Sequence, residues 1–410
     1  MKKILIFALA LVITAGASAQ KKAKKSEMDK KCSKMEQKHD CGMHEGNCGM
    51  HEENCGMHKQ GCCKQTPAAR LIERLKSLSA KGIMYGHQDA PFYGLTWEWE
   101  DGRCDVKETC GDFPAVMGFE LGGIEMGDAK NLDSVPFNRM REEIIAHHQR
   151  GGIVTISWHP RNPLTTIMGG GPAGQKFPEG TAWDVTSDQV VKSILPGGAK
   201  HDRFVIWMQR VATFLASLKT PGGEPVPILF RPWHENSGSW FWWGEKLCSV
   251  EEYRALWNML QDQLRAEGFD NLVWSYSPGM QDNLNAQRLM DRYPGDDRVD
   301  MLGLDGYQWT PEEKNQFIER GKQNLAVLCQ VAKEHNLIPA LTECGLKNMT
   351  EPTWWTSTLL PTVKGFPISY MLTWRNFKNE WFGPSPEKPD ASYFRDFYNS
   401  PTTLFLKDIK

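Results

Sequence analysis

The sequence predicts an α/β protein closed into a (β/α)8 TIM barrel, and three observations carry that expectation. From about Thr66 onward short apolar, β-rich runs alternate with longer amphipathic stretches; eight such runs can be counted; and residues able to do chemistry recur just past their C-terminal ends. Alternating β and α elements imply parallel strands joined by helices. Near-continuous apolar strands imply a sheet covered on both faces, and eight of them favour closure over an open sheet.

The predicted strands are Ile83 to His87, Ala115 to Phe119, Ile153 to Trp158, Pro227 to Phe230, Leu272 to Tyr276, Met301 to Leu304, Ile338 to Thr342 and Ile368 to Thr373. Apolar residues at helical spacing predict helices over Phe137 to His148, Arg203 to Leu218, Glu251 to Glu267, Glu312 to Glu334 and Trp354 to Val363. Past the strand ends stand His87, Glu120, His159, Glu235, Ser277, Asp305 with Tyr307, Glu343 and Trp374, where such a barrel carries its active site. A doubly wound sheet also binds ligands at strand ends, but no Gly-rich dinucleotide or phosphate loop follows any strand. Gly169, Gly170 and Gly171 lie inside a long loop after the third strand and read as loop flexibility.

Ahead of the barrel, Lys2 and Lys3 precede an apolar run from Ile4 to Ile13 and the small residues Ala17, Ser18 and Ala19, the pattern of a signal peptide over residues 1–19. That run is too short to span a membrane, and no later stretch reaches the roughly 20 apolar residues a spanning helix needs. An exported chain is expected, periplasmic or secreted. With a formal net charge of -2 and no long basic stripe in the body of the chain, nucleic acid is not an expected partner.

Residues 20–65 read as a Lys-rich, then Cys/Met/His-rich extension, with the barrel over 66–410. Six of the eleven cysteines fall between Cys32 and Cys63, and four of them recur every seven residues at Cys41, Cys48, Cys55 and Cys62. Cys41-Gly42-Met43-His44 repeats at Cys48-Gly49-Met50-His51 and Cys55-Gly56-Met57-His58. Thiolate, thioether and imidazole are soft donors, so residues 32–63 suit copper(I) or zinc. Lacking apolar residues and any standard zinc spacing, the segment reads equally as a disordered low-complexity spacer. Within the barrel, Cys104 and Cys110 in a polar loop can close a short disulfide in an exported protein, whereas Cys248, Cys329 and Cys344 read as small apolar residues.

The chemistry concentrates between Arg231 and Gly244, where Glu235 is set among Trp233, Trp240, Phe241, Trp242 and Trp243. A sugar ring stacks its apolar C–H faces on aromatic rings, its hydroxyls need polar partners, and cleaving its acetal needs a carboxyl group whose pKa is raised. A buried helix or strand rarely carries His234, Glu235, Asn236, Ser237 and Ser239 among its tryptophans, so a ligand groove is the better reading. A glycosidase places a second carboxylate across the scissile bond. Glu343 fills that role: it ends the seventh predicted strand, which is no neighbour of the fourth, so the two acids can face each other across the barrel mouth.

These residues resemble glycoside hydrolase family 26, the β-mannanase family, over roughly residues 66 to 400. The resemblance rests on Tyr85-Gly86-His87-Gln88, Trp158-His159-Pro160-Arg161-Asn162-Pro163, Arg231 to Glu235, Gly238 to Gly244, Asp305-Gly306-Tyr307, Thr342-Glu343-Cys344-Gly345 and Trp374-Arg375-Asn376. It implies a retaining hydrolase in which Glu235 is the acid/base and Glu343 the nucleophile, their carboxyl groups about 5 to 5.5 Å apart. It further implies that His159 and His234 contact the sugar at the cleavage point and that Tyr307 orients the nucleophile. Trp183, Trp240 and Trp374 would stack around that sugar, and Arg375 would reach the next. The implied substrate is a β-mannan polysaccharide or manno-oligosaccharide, cleaved without a metal or organic cofactor. His87 and Gln88 read as structural, and Asp305 either as support or as a ligand contact. Relatives that release mannobiose from chain ends or cut β-1,3-1,4-glucan or β-1,3-xylan share this chemistry, and the loop from Met168 to Pro196 would set how many sugars fit on the glycone side. A carbohydrate-binding barrel without catalysis is the alternative from another class.

Overall fold

The structure, a computed structural model, describes residues 65–166 and 180–410. The signal-peptide and Cys-Gly-Met-His readings, and Met168 to Glu179 of the long loop, lie outside the described residues.

The first helix, Pro67–Ser79, starts where Thr66 accepts a hydrogen bond from the Ala69 amide at 3.1 Å and Pro67 supplies a φ already suited to a helix. Eight parallel strands follow: β1 Ile83–Gln88, β2 Val116–Glu120, β3 Ile153–Trp158, β4 Ile228–Pro232, β5 Leu272–Tyr276, β6 Met301–Gln308, β7 Ile338–Leu346 and β8 Tyr370–Thr373. They pair in sequence order and β8 pairs with β1, which closes the expected (β/α)8 barrel. A short ninth strand, β9 Thr403–Leu404, pairs beside the start of β1 at Ile83 and Met84, and β2 takes over from Gly86 onward.

Strand parity divides the continuous apolar runs between two cores. Met84, Val116, Ile153, Leu229, Val273, Met301, Ala340 and Leu372 cluster with Leu71, Leu75 and Leu78 of the first helix, which plugs one end of the barrel. Their neighbours in sequence, such as Tyr85, Met117, Val154, Phe230, Trp274, Leu302, Leu341 and Met371, join the outer core between sheet and helices. Each large apolar side chain so buried contributes roughly 1.5–3 kcal/mol. Carried toward the C-terminal ends, the inward parity passes through Arg231, Ser277, Asp305, Tyr307 and Trp374, so the inner face becomes polar at one mouth.

Four of the five predicted helices form within a few residues of expectation, as Phe137–Gln149, His201–Ser217, Val250–Ala266 and Lys314–Glu334. The Val250–Ala266 helix carries a capping box, with Ser249 accepting from the Glu252 amide while Glu252 accepts from the Ser249 amide. The predicted Trp354 to Val363 helix is a π-helical turn over Trp355–Leu359 followed by Leu360–Val363; Pro361 has no N–H to continue a regular ladder. Among the described residues no helix is long and apolar enough to cross a membrane.

Three local expectations change. Strands β6 and β7 run further than predicted, so Asp305, Tyr307 and Glu343 lie within strands rather than past their ends; inward partners satisfy these polar groups, and nothing requires the strand to stop there. The polar loop around Cys104 and Cys110 is a helix over Asp105–Cys110. Both cysteines are free thiols, with Cys104 buried and the Cys110 thiol donating to the Val106 carbonyl at 3.2 Å.

Candidate active site

Two backbone irregularities aim the two glutamates. Along β7 against β6, Leu304 pairs with Leu341 but Asp305 pairs with Glu343, so Thr342 is an extra residue, a β-bulge. The same slip appears against β8, where Leu341 pairs with Met371 and Cys344 with Thr373. Leu341 and Cys344 both face the outer core, three residues apart, which turns Thr342 and Glu343 together toward the barrel axis. After β4 the chain makes a tight turn with Trp233 and Glu235 at φ 54° and 52°. Left-handed backbone at such residues costs about 1–3 kcal/mol each and persists only where the surroundings hold it. Here the Glu235 amide donates to Ser277 O at 2.7 Å, the Tyr253 hydroxyl donates to Trp233 O at 2.9 Å and the Trp243 indole donates to His234 O at 2.8 Å.

The aromatic motif thus divides by role. Trp233, Trp242 and Trp243 are fully buried, packed edge to face at 5.1 to 5.7 Å, and Phe241 stacks on Trp243 at 4.5 Å. They hold the turn. Trp240 is 46% exposed, and its indole N–H donates to Glu235 Oε2 at 2.5 Å.

Glu343 is buried and held from two sides. The Arg231 guanidinium binds its Oε1, and the Tyr307 hydroxyl donates to its Oε2 at 2.6 Å. Arg231 reaches on to Asp305 Oδ2 at 2.9 Å and to the Ser277 hydroxyl at 3.1 Å, while the Thr342 hydroxyl donates to Asp305 Oδ1 at 2.6 Å. Burial alone would lower the pKa of Arg231, but the charges of Asp305 and Glu343 outweigh it and raise it. Burial pushes Asp305 up to about 7 against the pull of Arg231. Burial, then the charge of Glu343, raises Tyr307 well above its ordinary value, so it remains a donor. Glu235 is half-buried and its pKa stands well above the ordinary carboxylic range, through desolvation first and then the charges of Glu343 and Asp305. One carboxyl group is thus kept protonated beside another held by a guanidinium and a phenol.

A histidine pair closes the floor. Glu120 accepts from the His159 ring at 2.7 Å, the His159 amide at 2.7 Å, the Ser157 hydroxyl at 2.6 Å and the Gly122 amide at 2.6 Å. Burial works against charge on His159, yet Glu120 outweighs it and raises the pKa; His234 is lowered well below its ordinary value by burial and by the charges of Arg231 and His159. The two Nε2 atoms meet at 2.9 Å, so His159 donates and His234 accepts. Trp183 stacks on His159 at 5.5 Å, and Trp374 meets it edge-on at 6.2 Å.

All nine residues singled out for the site, Glu235, Glu343, His159, Trp183, His234, Trp240, Tyr307, Trp374 and Arg375, line one cleft of about 650 Å³ at the polar mouth. Arg375 pairs with Asp133 at 3.1 Å along one wall. His87 is buried on Thr373 and Gly383 and lies outside the lining, and Asp305 both supports Arg231 and borders the cleft. Sequence reading gave no role to Arg231, although its two-residue step from Leu229 marks it as facing inward, and it passed over Asp133, Met280 and Trp309, which come from loops without a motif, and Arg320, which stands on the helix Lys314–Glu334. Among the described residues no group of three or more His, Cys, Asp or Glu side chains is arranged to hold a metal ion.

Comparison with known proteins places the chain in a family. A mannan endo-1,4-β-mannosidase of Bifidobacterium adolescentis is 31% identical over 325 residues, covering 75% of this chain and 31% of that protein. One from Bacillus subtilis is 30% identical over 254 residues, covering 59% of this chain and 62% of that protein. The chain therefore spans between about a third and three-fifths of the length of these curated relatives. The solved structure of a GH26 β-mannanase from Bacteroides ovatus superposes with a TM-score of 0.78 at 43% identity, covering 84% of this chain and 96% of that one. Residues 62–404 match the sequence pattern described as glycosyl hydrolase family 26, and with the barrel and its two glutamates in view the chain belongs to that family.

Proposed function

We propose that the protein is an exported, retaining endo-β-1,4-mannanase acting on mannan, glucomannan or galactomannan. The observation that carries this reading is the unequal pair of carboxyl groups in one cleft, Glu235 against the Trp240 indole with burial and neighbouring charge raising its pKa, and Glu343 held by Arg231 and Tyr307. Glu235 gives its proton to the glycosidic oxygen as Glu343 attacks the anomeric carbon, so the C–O bond breaks and a glycosyl-enzyme ester forms. Glu235, now a carboxylate, takes a proton from water; the resulting hydroxide displaces Glu343 and restores both groups. His159, His234, Trp183, Trp240 and Trp374 bind the sugar at the cleavage point, and Arg375 binds its neighbour. The mannan-active relatives support the substrate class, and the N-terminal sequence pattern supports export.

The product profile on linear mannan, mixed-linkage β-glucan and β-1,3-xylan tests the reading. A ladder of manno-oligomers with retained anomeric configuration is expected; mannobiose alone means attack from chain ends, and cleavage of glucan or xylan alone overturns the substrate. Unchanged hydrolysis by Glu235→Ala or Glu343→Ala would remove that residue from the mechanism. Soft-metal binding by residues 32–63 remains a separate proposal. It predicts that deleting them abolishes copper(I) uptake and leaves mannan hydrolysis intact.

A further inference from the structure

The cleft has two unlike arcs on either side of the line joining Glu235 on the β4 side to Glu343 on β7. One arc, from the β8, β2 and β3 ends, is walled by the Asp133–Arg375 ion pair and by Trp183, His159 and Trp374, whose rings meet at 5.5 and 6.2 Å as one continuous face against which a ring can lie. The opposite arc, from the β5 and β6 ends, presents Met280, Trp309 and Arg320. Trp309 is 53% exposed, an unusual position for a large aromatic on the lining of a cleft. Its place is fixed from several sides. Its amide donates to Glu313 Oε2 at 2.8 Å, Tyr307 lies at 5.5 Å with the rings inclined by 31°, and Phe382 meets it edge-on at 6.4 Å. The Lys347 ammonium, paired with Glu380 at 2.7 Å, stands 5.8 Å from its ring.

Bond cleavage requires the attacked ring to lie against Glu343 and the leaving sugar to lie on the other side of the bond that Glu235 protonates. The walled arc fits the attacked ring, which leaves the open arc for the departing chain. We propose that Trp309 is a stacking platform for the leaving-group side of the β-mannan chain, one that selects longer substrates and captures acceptor sugars. A fixed, half-exposed indole offers a hexose its apolar face at little conformational cost. Arg320, which donates to the Tyr307 carbonyl at 3.3 Å and borders the same arc, supplies donors for that sugar's hydroxyls.

This assignment rests on the proposed mannanase reading, and two substrates separate the two claims. Mannotetraose places sugars on both sides of the cleaved bond, whereas β-mannobiosyl fluoride leaves the open arc empty. For Trp309→Ala, the ratio of kcat/KM on mannotetraose to kcat/KM on the fluoride should fall roughly tenfold, the scale of one lost ring contact. Trp309→Phe should restore most of it, and transfer of mannobiose to added manno-oligosaccharide should fall with the ratio in Trp309→Ala. An unchanged ratio in Trp309→Ala with the parent active on both substrates overturns the platform alone. A parent inactive on both overturns the mannanase reading and the platform with it.

Discussion

Replacing Arg231 with Met tests what keeps the nucleophile usable. Arg231 is buried and bridges two buried carboxylates, Asp305 and Glu343. At the 2.9 Å separation from Asp305 and an effective dielectric of about 20, one such contact is worth roughly 6 kcal/mol before desolvation is charged against it. Removing one partner of a buried pair costs about 3–5 kcal/mol, because the remaining charge has nothing to oppose it. Here Asp305, already pushed up to about 7 by burial against the pull of Arg231, loses that pull and keeps its proton to higher pH, while Glu343 loses the donor on its Oε1. If about 3 kcal/mol of that penalty is felt in the transition state, where Glu343 must be held in place, kcat/KM drops roughly a hundredfold.

The assay is kcat/KM on a manno-oligosaccharide from pH 4 to 9, with urea unfolding alongside. Arg231→Met should lose activity roughly a hundredfold and unfold at lower urea than the parent. Adding Asp305→Asn removes the buried carboxyl group that Arg231 had paired, and should recover part of the lost stability at and above neutrality. A single variant that keeps the parent's kcat/KM would refute the claim that Arg231 holds the nucleophile in place; a double variant no more stable than the single would refute the claim that Arg231 is needed to pair Asp305.

Glu120→Gln should lower the pKa of His159, since Glu120 is what outweighs burial there, and KM should then rise with pH through the lowered value where the parent stays flat. The alkaline limb should belong to Glu235: as the acid it must carry its proton, so activity is present below its raised pKa and lost above it. Trp240→Phe removes the indole N–H that favours the Glu235 carboxylate, so that limb should move further up in a pH titration of kcat/KM. Trp243→Ala should destabilise by about 3–5 kcal/mol in urea unfolding and lower kcat as well, since its ring braces the turn that presents Glu235.

Much of this architecture was legible in the sequence because the strands are buried on both faces and the helices on one. Apolar runs such as Ile153 to Trp158 and amphipathic stretches such as Glu251 to Glu267 therefore announce their type and order. The site was legible where a residue type is costly to bury without purpose, as with Glu235 among tryptophans. Partners escaped where the pairing is long-range: nothing near Arg231 in sequence points to Asp305, 74 residues on, or to Glu343, 112 residues on. Tryptophans looked alike in sequence, yet Trp240 and Trp309 are exposed while Trp233, Trp242 and Trp243 are wholly buried. Composition reports an aromatic cluster, and only tertiary packing decides which rings face out.

The bulge at Thr342 shows why the last step from pattern to chemistry depends on a single residue. By strict alternation from Ile338 and Ala340, Thr342 faces the barrel axis and Glu343 faces the helices, where an ionised carboxylate would be stranded in the outer core. The extra residue resets the alternation, so Thr342 reaches Asp305 while Glu343 reaches Arg231 and Tyr307, and Cys344 and Leu346 resume the outward side. On β4 the same end is reached differently, with Arg231 inward by parity and Glu235 brought round by two left-handed residues. In both cases local irregularity is offset by a surrounding network of buried hydrogen bonds, so the backbone that aims the acids and the partners that set their charge are one structure.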